Sequence, residues 1–314
     1  MMTASLPLLR HAQAYGYAIP AFNVNHLETV LAVMDAAREV HSPVILQTSE
    51  GAVQYAGMPM LIAMVRAAAE ADIPVALHFD HGKDLPLLKK AIESGYTSVM
   101  IDASDKPLAE NIRLTRQVVG WARTQGVTSE AELGRIPGSE DTINVLEHEA
   151  LLTDPQQAAD FVRATECDSL AVAIGTHHGA YKFSGDRHLD IARLKKIRSL
   201  VDIPLVLHGA SGVREDLVQL AKHFGANVGE MRGVLDTDIQ EAIKHGICKI
   251  NIDTDLRLAF SAGLREATAQ HPNWFDPRKL FEPGRLLMRE VAKQKMELFG
   301  SAKQAPRLLA DLTE

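Results

Sequence analysis

One unit recurs along this chain and restricts its fold more than anything else: a short apolar run, a polar turn, then apolar residues at helical spacing. The runs are YAIPAFNVN (17–25), PVILQTSEG (43–51), PVALHFDHG (74–82), TSVMIDAS (97–104), VTSEAELG (127–134), DSLAVAIGTHHG (168–179), IPLVLHGAS (203–211) and CKINIDT (248–254). Apolar runs of this length, bounded by turn residues, read as strands buried on both faces. Alternated with helices, they imply a parallel sheet. Eight alternations in 314 residues predict one α/β domain over 1–314, a (β/α)8 TIM barrel with extra C-terminal helices. An open doubly wound sheet is the alternative, but no G-x-G-x-x-G follows the first run.

Helices are expected over about 26–40, 85–94, 107–124, 155–165 and 191–200, with two more in 213–246 and one ending near Ala269. Another carries Met60, Leu61, Met64, Val65 and Ala68, and a long amphipathic one runs from about Leu280 to Phe299. Residues 135–154, rich in Gly, Ser, Asp and Glu, break the rhythm and read as a mobile loop. Net charge of −7 without a basic run argues against nucleic-acid or anionic-membrane partners. Cys167 and Cys248 make no disulfide framework and fit a reducing cytosol. With no signal pattern and no apolar run of membrane-spanning length, a cytoplasmic protein is expected.

Polar residues gather where the runs stop: Asn23, Ser49, Asp80, His81, Asp102, Glu132, His178, His208, Asn251 and Asp253. Each alone has an ordinary explanation as a turn former, helix cap or hydrogen-bonded core group. Together they are harder to explain by packing, and a closed parallel barrel brings its strand ends to one mouth. His81, His178 and His208 offer three imidazoles, the donor set of a catalytic zinc with one open position. His78 and His177 are alternatives, read as supporting or structural residues. Asp80, next to a ligand, suits a group that gives and takes a proton. Gly179, Gly209 and Gly212 let backbone amides approach an anion, and Ser211 and Thr254 add hydroxyl donors.

The motifs D-H-G (80–82), E-A-E-L-G (130–134), G-S-E-D (138–141), H-G-A-Y-K (178–182), H-G-A-S-G (208–212), N-I-D-T (251–254) and D-P-R (276–278) together resemble the class II fructose-bisphosphate aldolases. The resemblance spans nearly the whole chain. It implies zinc-dependent aldol cleavage of fructose 1,6-bisphosphate without a lysine imine, with His81, His178 and His208 on the zinc and Asp80 moving the C4 hydroxyl proton. It also implies a second divalent site at Asp102 and Glu132, and a mobile-loop acid at Glu140. Ser49 is implied for the glyceraldehyde-phosphate half. Gly179, Lys182, Gly209, Ala210, Ser211, Asn251, Ile252, Asp253 and Thr254 are implied for the dihydroxyacetone-phosphate half, with a monovalent cation (Na+ or K+) nearby. Arg278 matches an arginine that reaches a neighbouring subunit's substrate, so a homodimer or larger homo-oligomer is expected.

The 213–236 insert resembles the class IIB, Calvin-cycle-type branch, while the 135–154 loop is shorter than that branch carries. Tagatose and sedoheptulose bisphosphates are therefore the alternative substrates. Other classes are a lysine-imine aldolase using Lys182 or Lys249, a barrel metallohydrolase of phosphate esters, and a sugar-phosphate sensor without turnover.

Overall fold

The computed structural model describes residues 1–69, 72–140, 143–146, 150–179, 188–229 and 231–313. Its strands are β1 (Ile19–Asn23), β2 (Val44–Thr48), β3 (Val75–Gly82), β4 (Ser98–Ile101), β5 (Thr128–Leu133), β6 (Gly138–Glu140), β7 (Ile143–Val145), β8 (Ser169–Val172), β9 (Leu205–Leu207) and β10 (Ile247–Ile252). Eight of them close a parallel barrel in the order β1-β10-β9-β8-β5-β4-β3-β2, and β6 and β7 pair separately. The apolar runs form strands because both faces are covered: one by helices, the other by the barrel's own interior. This is the expected TIM barrel.

The helices are α1 (Ser5–Tyr15), α2 (Leu27–Val40), α3 (Glu50–Ala56), α4 (Met58–Ala68), α5 (Leu85–Ser94), α6 (Leu108–Thr124), α7 (Pro155–Thr165), α8 (Ile191–Leu200), α9 (Glu215–His223), α10 (Asp236–Lys244), α11 (Thr254–Gln270), α12 (Pro277–Leu298) and α13 (Ala305–Thr313). Several caps follow from sequence. Asp84, Asp154 and Asp190 each accept a backbone amide from three residues on, and Pro follows Asp84 and Asp154 at the start of α5 and α7.

Three departures from the sequence reading have physical causes. The expected helix carrying Met60 to Ala68 is α4, but a short helix not expected there, α3, precedes it, the two parted at Gly57, whose φ of +79° no helix accommodates. Residues 135–154 are not a plain loop: they carry the antiparallel β6–β7 pair, and Pro137 O accepts the His178 amide at 2.7 Å. The N-terminal residues, left unassigned by strand counting, form α1. Its Leu8, Leu9 and Ala12 pack on Ile19, Ala21, Ile45 and Ala76 and close the lower end of the barrel with Leu308 of α13. No helix among the described residues is long and apolar enough to cross a membrane.

Candidate active site

Inward-facing positions two apart along a strand climb the barrel interior. On β3 they are Ala76, His78 and Asp80; on β5, Thr128, Glu130 and Glu132; on β10, Lys249 and Asn251. The lower layer is small or apolar, the next carries charge, and the uppermost carries charge and carboxamides.

Asp80 is buried and accepts hydrogen bonds from three carboxamides: Asn23 Nδ2 (3.2 Å), Gln47 Nε2 (3.0 Å) and Asn251 Nδ2 (3.0 Å). Burial alone would raise its pKa, but the nearby His81, Lys249, His208 and His78 outweigh that and hold it below the ordinary carboxylate range. Three donors fix the carboxylate's orientation, and donors suit its ionised form. An ionised carboxylate held in one orientation is chemically suited to accept a proton.

His81, at the same strand end, takes a left-handed φ of +48°. That conformation is uncommon for a residue with a Cβ, and such strain concentrates at functional sites. Its ring centroid lies 4.5 Å from that of His208 and 5.2 Å from that of His178, and the latter two are 6.4 Å apart. Donor atoms of Asp80, His81 and His208 all lie within 4.8 Å of one another. His81 Nδ1 donates to Asp102 Oδ2 (3.1 Å). Ser104 Oγ also donates to Asp102 (2.7 Å). His208 stands between Glu130 (Nε2 to Oε1, 2.9 Å) and Glu132 (Nδ1 to Oε2, 3.1 Å).

The charge balance of this floor tests whether a cation belongs there. Asp80, Asp102, Glu130 and Glu132 are all buried carboxylates, and Lys249 is the one fully buried ammonium beside them among the described residues. The deficit of positive charge falls on the imidazoles. Burial alone would depress His81, yet Asp80, Asp102 and Glu132 push it up to about 10, and His208 is raised too, against burial and His81, by Glu130 and Glu132. A floor that draws protons onto imidazoles this way fits a divalent cation, with neutral imidazoles as ligands and carboxylates orienting them.

His78 points into the barrel one layer below Asp80, with both ring nitrogens engaged. Burial, and then Lys249, drive its pKa down to about 3, so it is neutral. It accepts from Lys249 Nζ at Nε2 (3.4 Å) and donates from Nδ1 to Ser98 Oγ (2.7 Å). Lys249 itself spans both Glu130 oxygens at 3.0 Å.

The remaining expected residues divide into those the barrel gathers and those it does not. Gly179, Gly209, Ala210, Ser211, Asp253 and Thr254 follow the ends of β8, β9 and β10, Asn251 and Ile252 close β10, and those from Gly209 on are buried, Gly209 in a turn at φ +60°. Ser49 is buried at the end of β2, where its Oγ caps α3 by accepting from the Ala52 amide (3.2 Å). A cleft of ≈ 320 Å³ beside the floor is lined by Asn23, Asn25, His26, Asp253 and Arg257 among others. Arg278 stands apart at the start of α12, 90% exposed and paired with Asp276 (2.8 Å). Glu140 ends β6, and its side chain lies outside the described residues, as does Lys182.

Sequence reasoning missed Gln47 as a partner of Asp80 and Glu130 as a partner of His208. Glu130 left a signal: a carboxylate amid a buried strand is costly unless something pairs it.

A closed parallel barrel with a histidine and carboxylate floor at its carboxyl-terminal mouth defines a metal-dependent barrel enzyme. Residues 3–304 match the family model described as fructose-bisphosphate aldolase class-II. The chain is 49% identical to the fructose-bisphosphate aldolase of Thermus caldophilus over 305 residues, covering 97% of this chain and 100% of that one. It is 44% identical to that of Helicobacter pylori over 306 residues, with the same coverage. Among solved structures, the YdjI aldolase of Escherichia coli K12 superposes with a TM-score of 0.76 at 34% identity, covering 97% of this chain and 100% of that one. The chain belongs to the class II fructose-bisphosphate aldolase family. It is a metal-dependent carbon–carbon lyase.

Proposed function

We propose that this single-domain chain catalyses reversible aldol cleavage of fructose 1,6-bisphosphate to dihydroxyacetone phosphate and glyceraldehyde 3-phosphate, with zinc on His81, His178 and His208. The observation that carries this reading is the juxtaposition of those three imidazoles with an Asp80 carboxylate held by three carboxamides. Bound zinc supplies Lewis acidity toward the ketone end of the substrate, the role an imine plays in other aldolases.

The residues divide the remaining work. Asp80 takes the C4 hydroxyl proton as the C3–C4 bond breaks, leaving an aldehyde on one fragment and the electron pair on the other. Asn23, Gln47 and Asn251 keep that carboxylate aimed and ionised. Gly179, Gly209–Ser211 and Asn251–Thr254 bind the dihydroxyacetone-phosphate end, with a monovalent cation nearby and Lys182 adjoining. Ser49 faces the other half. Glu140 takes the proton from the three-carbon ketone in the condensation direction. Asp102 and Glu132 offer a second divalent site, and Arg278 reaches the substrate of a neighbouring subunit in a homodimer or larger assembly. The 213–236 insert, which carries α9, supports the class IIB, Calvin-cycle-type branch. Its setting is glycolysis and gluconeogenesis in the cytoplasm.

A coupled assay on fructose, tagatose and sedoheptulose bisphosphates, with and without chelator, tests the proposal. Fructose bisphosphate is cleaved fastest, chelator abolishes turnover, and borohydride traps no covalent adduct. Activity that survives chelation, or phosphate release in place of two triose phosphates, overturns it.

A further inference from the structure

Directly behind the loop that leaves β9 lies a buried ion pair with no part in the chemistry above. Asp255, in the first turn of α11, is fully buried and accepts the backbone amides of Gly212 (Oδ2, 3.0 Å) and Val213 (Oδ1, 2.7 Å). Lys295 of α12, also buried, lies 3.3 Å from Asp255 Oδ2. Val213 sits at φ +51°, a conformation a β-branched side chain adopts only when its surroundings compel it. The next residue, Arg214, donates to Gln294 Oε1 of α12 at 2.7 Å. From the other side, Ser211 O accepts the Val234 amide (3.2 Å). Gly233 presses so close that a Cβ there would stand 2.2 Å from the Gly212 carbonyl carbon.

We infer that Asp255 and Lys295 are positioning residues that strap the 209–213 loop into the form that receives the substrate's phosphate. This inference rests on the assignment of Gly209–Ser211 and Asn251–Thr254 to the phosphate. Asp255 follows Thr254 directly, so one carboxylate ties the two halves of that cradle, from β9 and β10, into a single unit. A carboxylate gripping two consecutive amides costs much desolvation, which Lys295 offsets. The strap holds Val213 in a left-handed turn that the loop would otherwise leave. A loop free to relax would have to be reordered by each substrate, which weakens binding without altering the proton transfer at Asp80.

Asp255→Asn, with zinc bound, is the test. The KM for fructose 1,6-bisphosphate and the inhibition constant of inorganic phosphate both rise about tenfold, the scale of a lost charge-assisted hydrogen bond. By contrast kcat stays within about threefold, and zinc content per chain is unchanged. Val213→Gly in the Asp255→Asn background recovers part of the lost affinity, because glycine holds the left-handed turn unaided. Unchanged KM and inhibition constant in Asp255→Asn, a fall confined to kcat, or no recovery with glycine overturns the strap. Should Asp255→Asn fail to fold, amide hydrogen exchange on the native chain decides: protected Gly212 and Val213 amides support the strap, and fast exchange refutes it. If phosphate fails to compete with substrate on the native enzyme, the cradle assignment falls, and the exchange result still judges the strap separately.

Discussion

The two ends of this barrel are built from the same strands and have opposite characters. At the lower end Ile19, Ala21, Ile45 and Ala76 meet Leu8, Leu9 and Ala12 of α1 in an apolar plug. Two residues further up the same strands stand Asn23, Gln47 and His78, and Asp80 lies above His78. The plug needs nothing but volume and shape. The floor needs partners for every polar atom and a counterion for its surplus carboxylates, because burial without them is costly. One end therefore contributes stability. The other spends some of it to hold imidazoles and a carboxylate where water would hold them less well.

Paired substitutions at the two ends sharpen that contrast. The largest effect is expected from Asp80→Ala, which retains zinc and fold but lowers kcat by about 10²–10⁴-fold, the usual worth of a general base. Near-normal turnover in single-turnover kinetics would remove Asp80 from the mechanism. At the plug, Leu9→Ala costs about 2–5 kcal/mol of stability by leaving a cavity, read as a lower midpoint in urea. Its kcat stays native, and a kcat loss there comparable with that of Asp80→Ala would erase the distinction.

Next in size is a pH effect on metal binding. His81 in the metal-free protein holds its proton up to a pKa of about 10, so zinc must displace that proton. Lowering the pH therefore weakens zinc, by up to about tenfold per pH unit for each proton displaced. Calorimetry in buffers of differing ionisation enthalpy reads the proton release directly, and no buffer dependence at pH 7 contradicts it. The smallest effect is expected from Arg278→Ala, at the exposed start of α12. It weakens use of the bisphosphate relative to a substrate lacking the distal phosphate, and equal losses on the two would discredit a role at that phosphate.

Both ends were only partly legible in the sequence. Apolar runs bounded by turn residues marked the eight strands, since burial on both faces leaves a strong local pattern. Polar residues at the run ends marked the floor; His81 and His208 bring their donor atoms together there with Asp80, and the His178 ring lies farther off, 5.2 Å from that of His81 and 6.4 Å from that of His208. The plug was missed although SLPLLRHAQAY carries Leu6, Leu8, Leu9 and Ala12 near helical spacing, because that pattern does not say which surface the helix covers. The Gly57 break between α3 and α4 and the β6–β7 pair were missed for a similar reason. Backbone conformation at one glycine, and the docking of a loop on His178, depend on neighbours distant in the chain.

What the sequence by itself determined, then, is the alternation of elements, the class of fold, and the kinds of chemistry available at the strand ends. Those follow from local periodicity and residue type. Tertiary structure alone decided which side chains meet: three carboxamides from β1, β2 and β10 on Asp80, Glu130 between Lys249 and His208, and Asp255 beneath the β9 loop. Partners separated by tens to well over a hundred residues are brought together by barrel closure and strand register. No local pattern encodes those two properties, because they belong to the sheet as a whole.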